Sequence, residues 1–137
     1  MNLVRYRLAL VVVFVLALML RLVPLRNPGI DWAIVPADSW HYTAPAEGLK
    51  VGCGYAAFEN GKCQEAETRY PPGYSIFLAC LPTLRSAVAL QALMGATVCV
   101  ITSVVVALFW DYWTALLAAT LMAFDLASVA TGATIVA

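Results

Sequence analysis

Charged side chains are scarce in this chain and are evenly divided between the two signs. Only 12% of its 137 residues are charged, and eight basic residues are matched by eight acidic ones. Ordinary soluble domains carry roughly 25% charged residues. The balance of charge excludes the basic face on which a nucleic acid is held. With 63% hydrophobic residues, the composition indicates an integral membrane protein whose solvent is a lipid bilayer.

Long apolar runs occur three times, and each is long enough for a helix that crosses the bilayer, which takes about 20 residues. They cover about residues 8–25, 87–110 and 113–133, and only Asp111-Tyr112 separates the last two. The sequence therefore predicts an all-α membrane protein with three transmembrane helices. The last two are expected to form an antiparallel hairpin because their connection is so short.

The first apolar run has some features of a secretory signal peptide, because Arg5 and Arg7 precede its apolar core. A signal peptide also needs small residues at a cleavage site soon after that core. Arg21 and Pro24 follow it instead. We therefore expect a retained transmembrane helix.

Two ionisable residues interrupt the predicted spans. Arg21 lies near the end of the first span, so its side chain is expected to reach the membrane interface. Asp125 lies within the third span, where an acid normally faces a bundle interior or a water-filled cavity. Asp125 therefore predicts further helices for it to face, unless the third span is displaced so that this residue lies nearer an interface.

A large polar loop, about residues 26–72, separates the first two spans. Asp38 can cap a short helix, which Pro45 is expected to kink or split. Pro71-Pro72 precedes a second short apolar helix, predicted over about residues 73–82. This helix is too short to cross a bilayer, so we expect it to lie at the membrane interface.

The four cysteines fall into two pairs by their surroundings. Cys53 and Cys63 flank a segment with Asn60-Gly61, a pair that favours a tight hairpin turn. Such a turn can bring the two sulfur atoms together, and a disulfide would indicate an oxidising compartment. Two free thiols are equally compatible with the spacing. Cys80 and Cys99 lie in apolar stretches and are expected to be packing residues.

Several signals occur in a fixed order in and after the loop. Asp38 is followed four positions later by Tyr42, and a Leu-x-x-Gly-x-Gly-Tyr run covers residues 49–55. Arg69 then precedes a Pro-x-Gly-Tyr run that ends at Tyr74. With the order of the apolar segments, these signals resemble the first external loop of the GT-C membrane glycosyltransferases. The resemblance is greatest to the branch that contains protein O-mannosyltransferases and the aminoarabinose transferase of lipid A.

This resemblance implies transfer of a sugar from a polyprenyl-phosphate carrier to an acceptor on the external face of the membrane. It implies that Asp38 is catalytic, as a base or, in some branches, through a divalent metal. Arg69 matches the position that contacts the lipid-linked phosphate, and Tyr42 and Tyr74 are the further substrate-binding candidates. Local sequence alone also allows Asp38 to be only a helix cap and Arg69 to be an interfacial anchor.

Two neighbouring residues are weaker candidates for the same site. His41 lies three residues after Asp38 and would share its helix face, so we expect at most a hydrogen-bonding neighbour of that carboxylate. Asp31 lies on the same loop but lacks a tyrosine four positions later. Neither residue, alone or with Asp38, has the ligand set of a metal site.

Complete GT-C enzymes have more transmembrane helices than three, so the resemblance implies the N-terminal part of a larger domain. Further helices or a partner membrane subunit would complete it, and the 137 residues alone are expected to be inactive. The alternative is a small, non-enzymatic three-span protein that acts through helix packing. Its candidate contact residues are Gly95, Ala96, Thr97 and Ser103. A transporter subunit is a third alternative, which rests on Asp125 alone.

The side of the membrane on which the loop lies is predicted from two arguments that disagree. The resemblance and a Cys53–Cys63 disulfide favour an external loop in a plasma or inner membrane. The positive-inside rule favours the opposite orientation, because several arginines lie near membrane ends on the loop side: Arg21, Arg26, Arg69 and Arg85. We adopt the external orientation as the prediction.

Overall fold

The computed structural model of the chain describes residues 2–26, 39–125 and 129. The chain divides into two compact units. The helix unit comprises residues 1–30 and 88–133, and the loop unit comprises residues 31–87 and 134–137. Asp31 and Asp38 lie outside the described residues.

Helices dominate the described residues, with one short β-hairpin among them. In chain order the elements are α1 (Leu3–Leu22), a 3-10 turn (Val23–Arg26), α2 (Trp40–Val51), β1 (Ala56–Glu59), β2 (Lys62–Ala66), α3 (Pro72–Ala79), α4 (Leu84–Phe109) and α5 (Tyr112–Ala123). The two strands pair antiparallel. The prediction of a mostly helical fold is thus confirmed, and the prediction of an all-α fold is wrong at the hairpin.

Two helices are long and apolar enough to cross a membrane. These are α1, with 20 residues, and α4, with 26. Only 11% of the apolar window of α1 and 22% of that of α4 are buried, whereas a core helix of a soluble protein is mostly buried. Their exposed apolar surface supports membrane association of the chain.

The third predicted span begins as expected but is interrupted. Helix α5 has 12 residues and ends at Ala123, short of the end predicted near residue 133. At 1.5 Å per residue it is about 18 Å long, well below the roughly 30 Å of a hydrocarbon core. Phe124 follows with non-helical angles, and the Val129 N–H then donates to the carbonyl of Asp125. Three complete spans are therefore not established.

Asp111 fixes the start of α5 and the tight turn after α4. Its carboxylate accepts hydrogen bonds from the N–H groups of Trp113 and Thr114 and from the Thr114 hydroxyl, at 2.7, 3.2 and 2.8 Å. The Thr114 hydroxyl contributes most to a pKa of Asp111 below its ordinary value of 3.8. Because the folded pKa is the lower one, this cap stabilises the fold at neutral pH. Its contribution is lost as the pH falls through the folded pKa.

Small side chains let the three helices of the helix unit approach closely. Its buried core consists of Ala17, Ala96, Cys99 and Ala123. Larger residues pack around this core: Val13, Phe14, Leu18 and Met122. Cys99 is buried, as expected for a packing residue, whereas Cys80 is exposed and the same prediction is wrong for it.

A hydrogen bond and a stacked pair of rings hold the first turns of α1 in this unit. Tyr6 is buried, and its hydroxyl lies 3.0 Å from that of Ser103. The Tyr6 ring stacks on Tyr112 at 4.6 Å between centroids. Ser103 was a candidate for contacts with a partner, and here it makes contacts within the helix unit. The same holds for two further candidates, Gly95 and Ala96. Thr97 is exposed.

Arg21 is buried among helix ends, which overturns the prediction that its side chain reaches the interface. The residue is 2% exposed. Its Nη1 donates to the carbonyls of Ala17 and Ala123 at 3.2 and 3.4 Å, and its Nη2 donates to that of Met122 at 3.4 Å. The last carbonyls of α5 have no partner within their own helix, and Arg21 satisfies two of them. Hydrogen bonds to these internal carbonyls are therefore more favourable for the Arg21 guanidinium than solvation at the interface.

Gly95 makes the space that Arg21 occupies. A Cβ atom at this position would lie 2.7 Å from Arg21 Nε, closer than a Cβ atom approaches an atom to which it is not bonded. Gly95 lies about 16 Å from the start of α4, in a helix about 39 Å long. The guanidinium is therefore held beside the middle of α4.

In the loop unit, α2 runs from Trp40 to Val51 without a break at Pro45, so the predicted split is wrong and the alternative of a kink stays a prediction. Proline cannot donate to the carbonyl four residues earlier, so the helix loses one hydrogen bond there. The Pro45 side chain is fully buried, and its packing offsets that loss. α3 covers Pro72–Ala79, close to the predicted short helix.

The Leu-x-x-Gly-x-Gly-Tyr run ends α2 and reverses the chain. The Gly52 N–H donates to the Leu49 carbonyl and the Cys53 N–H donates to the Gly48 carbonyl, a Schellman arrangement that requires a left-handed residue. Gly52 supplies it with φ of 85°, and Gly54 has φ of 74°.

The hairpin turn is the predicted Asn-Gly turn. Asn60 and Gly61 have φ of 51° and 75°, as a tight hairpin turn with two left-handed residues requires. The structure joins Cys53 to Cys63 in a disulfide, with their Cα atoms 5.5 Å apart. This bond fastens the end of α2 to the second strand.

Gly48 gives a prediction about the packing of α2 on the hairpin. A Cβ atom at Gly48 would collide with the backbone carbonyl oxygen of Ala56, which cannot rotate away. We expect Gly48→Ala to lower the free energy of unfolding by roughly 1–3 kcal/mol, measured by denaturant titration in detergent micelles.

The matched control is Gly73→Ala in α3, where an added Cβ meets nothing within 4 Å. This change should be neutral or stabilising by up to about 1 kcal/mol. Equal effects of the two substitutions would contradict the close approach of β1 to α2.

Candidate substrate site

Six aromatic rings in the loop unit contact one another in series, and we call them the ring cluster. The first turn of α2, the segment before α3 and α3 itself contribute its members: Trp40, His41, Tyr42, Tyr70, Tyr74 and Phe77. Tyr42 and Tyr74 were predicted as substrate-binding residues, and the structure brings them together.

Tyr70 and Tyr42 link the two halves of the ring cluster. Tyr70 stacks on His41, with centroids 4.5 Å apart and planes 22° apart. Tyr42 makes edge-to-face contacts with both Tyr70 and Tyr74, each at 5.5 Å. Tyr74 then stacks on Phe77 at 5.9 Å. Such geometries are favourable for aromatic pairs, so the cluster fixes α2 against α3.

Tyr55, the last residue of the glycine-containing run, positions the segment that carries Arg69 and Tyr70. Its hydroxyl donates to the Tyr70 carbonyl at 3.0 Å, and its own carbonyl accepts from the Glu67 N–H at 2.9 Å. The side-chain hydroxyl and the backbone carbonyl of Tyr55 thus both hold the segment that returns from the hairpin to α3.

Lys50 provides a second tie within the loop unit. Its Nζ donates to the carbonyl of Leu81 at 2.8 Å. Because Lys50 lies in the last turn of α2 and Leu81 follows α3, this bond joins the ends of the two helices. The ring cluster joins their beginnings.

Arg69 lies beside the ring cluster with an exposed side chain. Its backbone N–H donates to Glu67 Oε1 at 2.8 Å. Within residues 39–125 its guanidinium makes no hydrogen bond or ion pair. Among residues 39–125, therefore, nothing occupies the guanidinium donors that the predicted contact with a phosphate requires.

The other predicted residues are placed less completely. Asp38 and Asp31 belong to the part of the chain that is not described, so the pairing of Asp38 with Tyr42 stays a prediction. His41 stacks on Tyr70, and its predicted hydrogen bond to Asp38 stays untested.

Sequence reasoning did not single out Trp40 and Tyr70 as members of one site with Tyr42. The sequence did contain a signal for Tyr70, because Tyr70, Tyr74 and Phe77 follow the i, i+4, i+7 spacing of one helix face. No periodicity indicates that Trp40 would join them from a separate helix. Ser75, also missed, is fully buried, and its hydroxyl finds no partner among the described residues.

The described ranges contain no group of three or more His, Cys, Asp or Glu side chains that could hold a metal ion. A separate cleft of about 410 Å³ lies where α2 meets the hairpin. Its lining residues are Trp40, Pro45, Ala57, Glu59, Gln64, Glu65 and Glu67. Carboxylates can accept hydrogen bonds from hydroxyl groups, so this cleft is compatible with a polyhydroxylated ligand.

Known proteins do not add to this assignment. Comparisons of the chain with protein-family models, with curated proteins and with solved structures each gave no match.

Proposed function

We propose that this chain is the N-terminal part of an integral membrane glycosyltransferase that moves a sugar from a polyprenyl-phosphate carrier to an acceptor on the external face. The observation that carries the proposal is the ring cluster beside Arg69. Tyr42 and Tyr74 come from motifs about thirty residues apart in the GT-C-like order, and their rings lie 5.5 Å apart. Arg69 is next to Tyr70 in the same segment, and its exposed guanidinium has no partner within residues 39–125.

Arg69 supplies what a lipid-linked phosphate needs. A guanidinium binds two phosphate oxygens at once through parallel N–H donors. When the sugar leaves, negative charge develops on the polyprenyl phosphate, and a positioned cation stabilises that charge in the transition state. Because Arg69 is exposed at the start of α3, such a carrier can reach it without opening the fold.

Asp38 is the proposed catalytic residue, directly before Ser39 in the chain. As a general base it would take the proton of an acceptor hydroxyl as that oxygen attacks the sugar. In branches of the family that use a divalent metal, a carboxylate here would hold the ion and so orient the acceptor.

The ring cluster suits a site at a membrane interface. Tyrosine and tryptophan present an apolar ring and a polar tip, and they are enriched at the level of the lipid headgroups. The rings can therefore lie against both the sugar and the first isoprenoid units of a carrier. The Cys53–Cys63 disulfide supports an oxidising compartment, hence a loop on the external side.

Photolabelling of the donor site tests the proposal. A polyprenyl-phosphate sugar with a photoreactive group should label the chain in detergent, and an unlabelled donor should compete for that labelling. We expect Arg69→Gln to reduce saturable labelling about tenfold or more, because a charge-assisted hydrogen bond to phosphate is lost.

Lys62→Gln is the matched control, since Lys62 is another exposed cation of the loop unit, at the hairpin turn. It should leave labelling unchanged. Labelling that is not saturable, or that falls equally in both variants, would contradict the donor site.

A further inference from the structure

A groove lies between α1 and α4, within the helix unit and apart from the residues of the proposed donor site. It has a volume of about 390 Å³. We call it the α1–α4 groove, and its lining residues are Arg7, Leu10, Val11, Phe14, Thr97 and Val100.

Because of the sequence of α1, the α1–α4 groove has a charged end and an apolar end. The four α1 residues have the i, i+3, i+4, i+7 spacing of a single helix face. Arg7 lies near the start of α1, and Phe14 lies about 10 Å further along it. A cation therefore marks one end of a slot whose other end is an aromatic ring.

Apart from Arg7, the lining offers almost nothing polar to a ligand. The Thr97 hydroxyl donates to the Leu93 carbonyl of its own helix at 2.8 Å, so its one proton is already used. The remaining lining side chains are aliphatic or aromatic. A ligand that fits this groove must therefore be apolar along its length and polar only beside Arg7.

The charge near the mouth of the groove is positive and uncompensated. Arg7 is exposed, and within the described ranges its guanidinium makes no hydrogen bond or ion pair. The sequence from residue 2 to residue 26 contains no acidic residue, while Arg5 lies nearby on a different face of α1. An anionic group at the apolar ligand's end would therefore be attracted to Arg7.

We propose that the α1–α4 groove binds one acyl chain of an anionic phospholipid whose phosphate contacts Arg7. This inference goes beyond the proposed transferase activity and requires only that α1 and α4 lie in a bilayer. Basic residues at a membrane surface attract anionic lipids, with an effect of about fivefold for each such residue. The groove adds a fixed position for the acyl chain. The general attraction of anionic lipids to basic residues therefore becomes binding at a defined lipid site.

Native mass spectrometry of the 137-residue chain tests the site, after purification with an equimolar mixture of phosphatidylglycerol and phosphatidylcholine that have identical acyl chains. The chain should retain phosphatidylglycerol in preference. Arg7→Gln should reduce that preference about fivefold. Arg5→Gln is the matched control and should reduce it less, because Arg5 contributes only to the general attraction and does not line the groove.

A second variant tests the apolar part of the site separately. Thr97→Phe fills the groove from α4 without changing any charge, so it should reduce retention of both lipids while Arg7 remains. Circular dichroism and elution volume should show that each variant is folded as the parent is.

Four results would overturn the assignment. An equal preference for the two lipids in the parent, or equal effects of Arg7→Gln and Arg5→Gln, would show only general attraction. Unchanged retention in Thr97→Phe would remove the acyl chain from the groove. When a polyprenyl phosphate is added to the same mixture, its retention in preference to phosphatidylglycerol would assign the groove to the carrier and not to a diacyl lipid.

Discussion

Replacement of Arg21 by alanine is expected to lower the free energy of unfolding of the chain by roughly 3 kcal/mol or more. The guanidinium donates to three carbonyls, of which two end α5. Hydrogen bonds to charged groups contribute about 1.5–3 kcal/mol each, and a buried acceptor left without a donor is costly. Reversible unfolding in mixed detergent micelles measures this change.

Arg26→Ala is the control for Arg21, because Arg26 is an exposed arginine in the adjoining 3-10 turn. It should change stability by no more than about 0.5 kcal/mol. If Arg21→Ala proves as mild as this control, the carbonyls of α5 do not depend on the guanidinium.

A double-mutant cycle with Gly95 isolates the contact between the two residues. Gly95→Ala alone should cost roughly 1–3 kcal/mol, because its Cβ would displace the Arg21 side chain. With Arg21 already replaced by alanine, the same change should cost little, since the obstructing atoms are gone. Additive effects would contradict the packing of Arg21 on Gly95.

Arg21 also gives a physical account of the interruption after α5. In a bilayer, the final carbonyls of a helix that ends within the hydrocarbon must find internal donors. Arg21 supplies them beside the middle of α4. The guanidinium thus holds the turn from which the chain continues to Asp125.

Asp38→Asn is the substitution expected to affect transfer most. In the protein encoded by the whole reading frame that contains these residues, it should reduce the rate of sugar transfer on the order of 100-fold or more. Asparagine keeps the size and most of the capping ability of aspartate but cannot take a proton. A transfer assay with a polyprenyl-phosphate-linked sugar measures the rate.

Asp31→Asn is the matched control, because it removes a carboxylate from the same loop. It should leave transfer nearly unchanged. If Asp38→Asn inserts, folds and transfers as fast as the parent, the catalytic role of Asp38 is wrong.

The sequence predicted those features that local chemistry decides. The Asn60-Gly61 turn followed from the need for left-handed backbone, and the interruption at Asp111-Tyr112 indicated the tight turn after α4. The apolar runs identified α1 and α4 because length and hydropathy suffice for a spanning helix. The motif order brought together Tyr42, Tyr74 and Arg69 as candidates, and the first two share the ring cluster.

Features that depend on distant contacts could not be read from the sequence. Arg21 was expected at the interface because its acceptors, the Met122 and Ala123 carbonyls, lie about a hundred residues away in the chain. The same contacts end α5 at Ala123, whereas hydropathy alone extended the span. Pro45 was expected to kink or split α2, and the helix is not split, because burial of its ring offsets the lost hydrogen bond.

The most direct test is sugar transfer itself, measured in membranes that contain the protein encoded by the whole reading frame. A panel of polyprenyl-phosphate-linked radioactive sugars should be supplied, with membranes lacking the protein as the background. We predict transfer of one of these sugars to an external acceptor, strongly reduced in Asp38→Asn and in Arg69→Gln, and no transfer by the 137 residues alone. A folded, inserted protein that transfers none of the sugars, or variants that transfer as fast as the parent, would contradict the proposed function.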